Sequence, residues 1–360
     1  MTTTSLLLPF AERLMNAPAA AYHEQAVMSE VESICQQQGL TCDTDAFGNR
    51  IVTVNHSSRA PKLALVAHMD HPGFETVGPL TETTWEARFL GGVGEAYFQV
   101  GIPLIAYPGG YPAVLGKRLA DDLRFEIHFE EVPPEPPRFL VWNLLTHGRK
   151  DDRIEGRACD DLIGVAAILA TLAELNRLKA PVHVRGLITR AEEVGFQGTL
   201  LLAKSGVIGP DTAIVSLETS RELPPVQMGN GTIIRVGDRS SIFDSRLTRF
   251  LTEVAADLQT RHSEFRYQRA LMGGGTCEAT AFQEFGYRCG ALCVALGNYH
   301  NCGPENRIAA EYVSAADAQG MVDLLVEAAQ RFPECDALAG RLNARLEKLT
   351  LEARRRFGVL

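Results

Sequence analysis

The chain has 360 residues, 46% of them hydrophobic and 22% charged, which supplies a sizeable core and exceeds the ~100–150 residues of one ordinary domain. Its formal net charge of −9 argues against a nucleic-acid partner, because phosphate binding gathers Lys and Arg on one face. No apolar run approaches the ~20 residues that span a bilayer, MTTTSLLLPF lacks the basic leader of a signal peptide, and the eight scattered cysteines without a CxxC pair read as reduced thiols. Together these features predict a cytoplasmic protein with no membrane and no nucleic-acid partner.

The stretch from about Leu6 to Gly39 has apolar residues at helical spacing, with Gly39 as a C-terminal cap. NRIVTV and KLALVAH read as strands. From about Phe74 to Asn143 helical periodicity fades into short runs broken by Gly and Pro. RFEIHFE alternates strictly, with Phe125, Ile127 and Phe129 on one face. EVPPEPPRF reads as a surface loop or an edge, since proline cannot donate to a ladder.

Beyond it strands and helices alternate. DDLIGVAAILATLAELNRLK, QGTLLLAKSG, RLTRFLTEVAADLQTRH, TCEATAFQEFG and SAADAQGMVDLLVEAAQRF read as helices, and VHVRGLIT, DTAIVSLE and CGALCVALG as strands; the tail holds one or two further helices. This rhythm predicts an α/β fold: a mainly parallel mixed sheet with helices on both faces, carrying a small inserted all-β domain. The expected division is residues 1–73 and 151–360 as a catalytic α/β unit, with 74–150 as the insert.

The unusual polar residues fall where strands end. His68 and Asp70 follow LALVA, Glu192 and Glu193 follow VRGLIT, Glu218 closes AIVSL, His300 follows LCVAL, and Asp160 and Asp161 open a helix. Ligand sites of open α/β sheets lie at the carboxyl ends of strands. Singly, His68 reads equally as a hydrogen-bonded core histidine, the Asp pair as helix caps, and Glu192–Glu193 as a solvated turn. Jointly they match a metal centre.

Zinc takes imidazole and carboxylate ligands, and the negative charge of Asp160, Glu193 and Glu218 with one hydroxide balances two divalent ions. Asp160 would bridge, with Glu193 and His300 on one ion and His68 and Glu218 on the other. Two ions ~3.5–4 Å apart suit hydrolysis by a metal-bound hydroxide. Glu192 is then left free as a general base, and Asp70 is placed to fix the tautomer of His68.

The order H-x-D, D, E-E, D/E, H resembles the dinuclear zinc aminopeptidases, and the glutamyl aminopeptidase / tetrahedral aminopeptidase family among them. The likeness runs along nearly the whole chain. APAAAYHEQAVMSEV with DAFGNRIVTV resembles the family's opening helix and Gly-Asn strand. AHMDHPGF, GRACDDLIG, EEVGFQGT, MGNGTIIRVGD and GGGTCEATAF resemble later motifs in order. The insert falls where that family carries a small β domain.

The resemblance implies the same ligands, Glu192 as base, two divalent ions (Zn²⁺, with Co²⁺ or Mn²⁺ as alternatives), a peptide substrate and a homo-oligomer. Departures bear on substrate preference: Glu218 stands where the family usually has Asp, Leu162 replaces an Arg, Cys277-Glu278 replaces Asp-Ala, and LGNYHNCG surrounds His300. With the five ligands complete, His71 reads as a pocket or surface residue ahead of a further ligand, Cys159 beside Asp160 as a small packed residue ahead of a soft metal ligand, and Cys302, two residues after His300, carries the same two readings. Glu278 is a candidate for holding a substrate amine. EARRRF reads as a solvated helix face.

The expected activity is that of an aminopeptidase. A deacylase or carboxypeptidase-like amidohydrolase is the nearest alternative, kept open by Arg157, Arg190 and Arg221 near motif ends. A non-catalytic binding protein on the same fold is the third reading.

Overall fold

The computed structural model describes residues 6–120 and 122–359; residues 1–5, where the reading of the leader begins, lie outside them. Two helices open the chain, α1 (Leu7–Asn16) and α2 (Gln25–Gln38), before β1 (Thr41–Thr44), β2 (Arg50–Asn55) and β3 (Lys62–His68). Next come β4 (Gly73–Pro79), β5 (Thr84–Leu90), β6 (Pro103–Tyr107), β7 (Tyr111–Ala120), β8 (Arg124–Phe129) and β9 (Phe139–Trp142). Short β10 (Gly148–Lys150) and β11 (Arg153–Gly156) lead into α3 (Leu162–Arg177), β12 (His183–Thr189), α4 (Gln197–Lys204), β13 (Ala213–Arg221), β14 (Thr232–Gly237) and α5 (Ser245–Arg261). The chain closes with β15 (Tyr267–Leu271), α6 (Glu278–Glu284), β16 (Arg288–Leu296), β17 (Glu311–Ser314), α7 (Ala315–Arg331), α8 (Cys335–Ala339) and α9 (Arg341–Arg356).

The large sheet has eight strands in the order β1-β2-β12-β3-β13-β16-β14-β15. Its centre, β12-β3-β13-β16, is parallel; β2 and β14 flank it antiparallel. Strand β3 shows why the sheet is covered twice. Leu63, Leu65 and Ala67 join the core that contains α1, α3 and α7, whereas Ala64 and Val66 join Leu202 of α4 and Phe282 of α6. Side chains alternate across a strand, so an unbroken apolar run needs a helix layer on each face.

Strands β4, β5, β8, β7, β6 and β9 form a closed barrel. Phe125, Ile127 and Phe129 point into it, around Phe74 and Trp142. A separate three-stranded sheet, β10-β11-β17, lies beside the entrance to α3.

The opening stretch is not one helix. It breaks between Asn16 and Gln25, where Pro18 lacks the amide that would continue the ladder. Gly39 closes α2 at φ 63°, donating its N–H to the last turn.

Candidate active site

Parallel register brings the polar residues to one edge. His68 at the end of β3 pairs with Thr189 at the end of β12. Ser216 of β13 pairs with Val66, which puts Glu218, two residues on, level with His68. Strand β13 continues to Arg221, so Glu218 sits inside it and does not close it as expected. Glu192 and Glu193 lie in the turn after β12, Asp160 precedes α3, and His300 stands in the loop after β16 at φ 53°.

Three overlapping groups of ligand atoms result, each within 4.8 Å: His68, Glu192 and Glu193; His68, Asp160 and Glu218; Asp160, Glu193 and His300. Asp160 presents Oδ1 to His68 Nε2 and Oδ2 to His300 Nε2, both at 3.6 Å. His300 Nε2 is 3.2 Å from Glu193 Oε1, and His68 Nε2 is 3.9 Å from Glu192 Oε2. Glu192 has the most exposed side chain of these ion pairs, at 12%.

The charge balance is lopsided. Asp70, Asp160, Asp161, Glu218, Glu278 and Glu311 are all buried, close to Glu192 and Glu193, while Arg235 is the permanent cation that faces Glu218. Asp160 Oδ1 and Glu218 Oε1 are buried without a hydrogen-bond partner, and Glu193 Oε1 has only the ion pair with His300 Nε2. Burying unpartnered carboxylate oxygens is costly unless a cation joins them. The donor set of imidazoles and carboxylates is one that divalent metal accepts, so these residues fit a metal centre.

Ionisation follows from the same crowding. Burial would raise Asp160, yet His300 and His68 outweigh it and hold the carboxyl far below the usual range. Burial pushes Glu218 up to about 8, although Arg235 opposes the shift. Burial also carries Glu192 well above an ordinary glutamate, helped by Glu218 and Glu193.

The surrounding hydrogen bonds fix backbone more than side chains. Asp70 was expected to hold the His68 ring through its carboxylate. Instead the ring Nδ1 is 3.0 Å from the Asp70 carbonyl oxygen, and the carboxylate stands 3.6 Å away, beyond hydrogen-bond reach. The Asp70 carboxylate accepts the N–H groups of Glu192 and Glu193 at 2.9 and 3.0 Å. Ala191, just before them at φ 50°, donates its N–H to buried Glu24 at 3.1 Å, and Arg190 donates its N–H to Asn49 Oδ1 at 3.1 Å. Each amide from Arg190 to Glu193 is therefore held by a side chain, which fixes a turn that left-handed Ala191 would otherwise disfavour.

A second carboxylate does the same on the other side. Glu311 Oε2 accepts the N–H groups of Cys159 at 2.8 Å and Asp160 at 3.0 Å, and Oε1 accepts the N–H of His300 at 2.8 Å. Pairing of β17 with β11 sets Glu311 opposite Gly156, next to the loop that carries Asp160. Gly156 is needed there, because a Cβ would lie 2.3 Å from the Thr146 carbonyl oxygen. The barrel contributes the Gly92 carbonyl, which faces His300 Nδ1, and the Tyr299 ring stacks on the imidazole at 3.8 Å.

The remaining residues singled out in the sequence divide clearly. The ring nitrogens of His71 lie 2.8 Å from the Asp160 carbonyl oxygen and 2.9 Å from Asn301 Oδ1, and His71 joins no ligand group among the described residues. Cys159 packs in the apolar core, and Cys302 Sγ lies 3.6 Å from the His300 carbonyl; neither thiol joins a ligand group among the described residues. Glu278 is fully buried; its Oε1 accepts from the Thr189 and Thr199 hydroxyls, while its Oε2 has no hydrogen-bond partner. Asp161 occupies the cap position of α3 without making a cap hydrogen bond.

Of the three arginines, Arg157 is buried beside Tyr107, Arg190 pairs with Glu24 at 2.8 Å, and Arg221 lines a cavity next to Glu218. Arg235 lines the same cavity, with Thr219, Ser220 and Tyr299. It is 3% exposed and its Nε has no partner. Sequence reasoning reaches neither Glu24, Glu311 nor Arg235: their roles are to backbone amides or to a cavity far along the chain.

The M42 glutamyl aminopeptidase model matches residues 137–317. The structure is similar to the TET1 peptidase of Pyrococcus horikoshii, described as assembling into a tetrahedron or a large octahedral shell, with TM-score 0.75 and 20% identity over 90% of this chain and 99% of that one. A TET aminopeptidase from a marine sediment archaeon of the Thaumarchaeota gives 0.77 at 18% identity, covering 92% and 99%. An M18-family aminopeptidase from Thermotoga maritima gives 0.64 at 14% identity, covering 91% and 97%. At these identities the structural likeness establishes the fold.

Proposed function

The chain belongs to the M42 glutamyl aminopeptidase family and is a metal-dependent peptidase; from that premise we propose that it removes the N-terminal residue of peptides at a dinuclear centre. His68, Asp160, Glu193, Glu218 and His300 are the proposed ligands. The observation that carries the reading is Asp160, whose two oxygens face two different imidazoles at 3.6 Å, with a further carboxylate beside each. When bound, two divalent ions, Zn²⁺ before Co²⁺ or Mn²⁺, lower the pKa of water and polarise the scissile carbonyl.

Glu192 is the proposed general base. It takes the proton of the attacking water on a carboxylate oxygen and returns it to the leaving amine. Asp70, with Glu24 and Asn49, holds the turn that aims Glu192 and Glu193. Tyr299 and Gly92 keep the His300 ring in one orientation. Burial that raises Glu192 also suits a group that must carry a proton between two steps.

Arg235 and Arg221 line the cavity beside Glu218. A buried guanidinium with an unpartnered Nε supports a preference for an acidic first residue, whose side-chain carboxylate would complete the pair. The amidohydrolase alternative draws less support, because Arg157 and Arg190 are engaged elsewhere.

We read the barrel as an inserted domain over 74–150 between catalytic segments 1–73 and 151–360, and the chain as a homo-oligomer, as the similar Pyrococcus horikoshii peptidase is described to be. All eight cysteines are unpaired and no described helix is long and apolar enough to cross a membrane, which supports a cytoplasmic placement.

The test is Glu192→Gln. It should bind metal as the parent does and lose ~10²-fold or more of its turnover. Persistent turnover would remove Glu192 from the role of base.

A further inference from the structure

Helix α9 has no buried residue along Arg341–Arg356, although Leu342, Leu346 and Leu349 are spaced to share one stripe. They are 41%, 50% and 49% exposed. Among the described residues, the ion pairs and hydrogen bonds that fasten the helix to the body gather at its base. Arg341 pairs with Glu253 and Asp257 of α5 at 3.0 Å, Arg249 donates to the Ala339 carbonyl at 3.1 Å, and Arg246 pairs with Asp336 at 3.0 Å. Helices in proteins draw most of their stability from packing an apolar face, and among the described residues none buries this one.

The spacing 342, 346, 349, 353 is the alternation of four and three that builds the seam of a two-helix coil. Leu342 and Leu349 take one of the two seam positions; Leu346 and Ala353 take the other. Arg345 and Glu352 flank the seam on one side, Asn343 and Thr350 on the other. Leu351 stands off the seam.

We propose that α9 pairs with α9 of a second copy of this chain, antiparallel. In that arrangement Leu346 meets Leu349 of the other copy, and Leu342 meets Ala353, each contact occurring twice by symmetry. Arg345 then faces Glu352 of the other copy, again twice, and Asn343 faces Thr350. The parallel alternative fails on charge. It would put Arg356 against Arg356 in the seam, set the Arg354–Arg356 runs side by side, and leave Arg345 and Glu352 without opposite partners. The surface pairs are weak singly, yet they select orientation because the wrong orientation turns attraction into repulsion. Glu347 and Glu352 also interrupt the basic polar face that a membrane-surface helix of this kind would carry. The contact deepens the homo-oligomer reading and does not depend on the barrel.

Sedimentation velocity of the full chain at low salt tests it. Leu346→Glu with Leu349→Glu should weaken self-association roughly tenfold or more, since two buried leucines per copy become charged. Arg345→Glu and Glu352→Arg should each weaken it roughly three- to tenfold, and the two combined should restore it, because the exchanged charges face each other again. Association unmoved by the leucine change overturns the α9 contact and leaves assembly through other surfaces standing. Single charge reversals that weaken association without rescue by the double change overturn the antiparallel pairing. A monomeric parent chain that sediments with phosphatidylserine vesicles, and loses this with Leu346→Glu and Leu349→Glu, overturns the second copy in favour of a lipid surface.

Discussion

Glu311 offers a way to disturb the proposed metal centre without touching a proposed ligand. Its carboxylate accepts three amide hydrogens, two on Oε2 and one on Oε1, from Cys159, Asp160 and His300. In Glu311→Gln the remaining oxygen serves the Cys159–Asp160 pair, and the new NH₂ meets the N–H of His300, donor against donor. Leaving that amide unpaired in the interior costs ~1–3 kcal/mol, and turning two charge-assisted bonds into neutral ones costs about 1 kcal/mol each. Part of this returns, because burial and the nearby Asp160 push the Glu311 pKa well up, and the amide removes that strain. The net expectation is a loss of ~2–3 kcal/mol of stability.

The larger effect falls on the metal. Asp160 and His300 take their places from backbone that Glu311 holds, and removing such a support lowers metal affinity ~10–100-fold. Competition against a chromogenic chelator measures this directly, with thermal denaturation alongside. At saturating metal the turnover should recover much of its parent value, since every proposed ligand and Glu192 remain. Unchanged chelator competition and an unchanged melting temperature would refute the positioning role.

Two further expectations follow from the same geometry. Arg235→Met should cost roughly 10–100-fold in kcat/KM for substrates with an acidic first residue, the worth of a charge-assisted hydrogen bond, and spare neutral ones; equal losses on both would detach Arg235 from side-chain recognition. In chelator, Glu218 holds its proton up to about 8, against 4.5 ordinarily, because burial penalises its charge. Its contribution to stability is complete below the unfolded value and is lost as pH rises through about 8, so the metal-free melting temperature should fall over that window. Glu218→Gln should flatten the fall, and parallel profiles for the two chains would count against it.

Much of the site is legible in the chain because it rests on local signals. Apolar strands such as KLALVAH end on polar residues, and parallel register carries those ends to one edge. Periodicity likewise announces α5 and α7, and a long apolar run announces α3. What the chain conceals is the work done through backbone. Glu311 lies in AAEYVS and looks like a polar turn, yet two of its three amide partners, Cys159 and Asp160, stand more than a hundred residues earlier. Glu24 looks like an exposed helix start and is fully buried against Ala191 and Arg190. An acceptor that holds amides places no demand on which residues supply them, so no motif records the contact. Edge strand β15 is obscured for another reason: its residues are mostly part-exposed, so YQRAL lacks the alternation of a covered strand.

Metal content per subunit, measured on the purified chain and paired with cleavage of matched free-amine and N-acylated chromogenic substrates, tests the central claim most directly. Two divalent ions per subunit, with cleavage confined to free-amine substrates and abolished by chelator, is the result expected. Cleavage confined to N-acylated substrates, or turnover that survives removal of all metal, would contradict it.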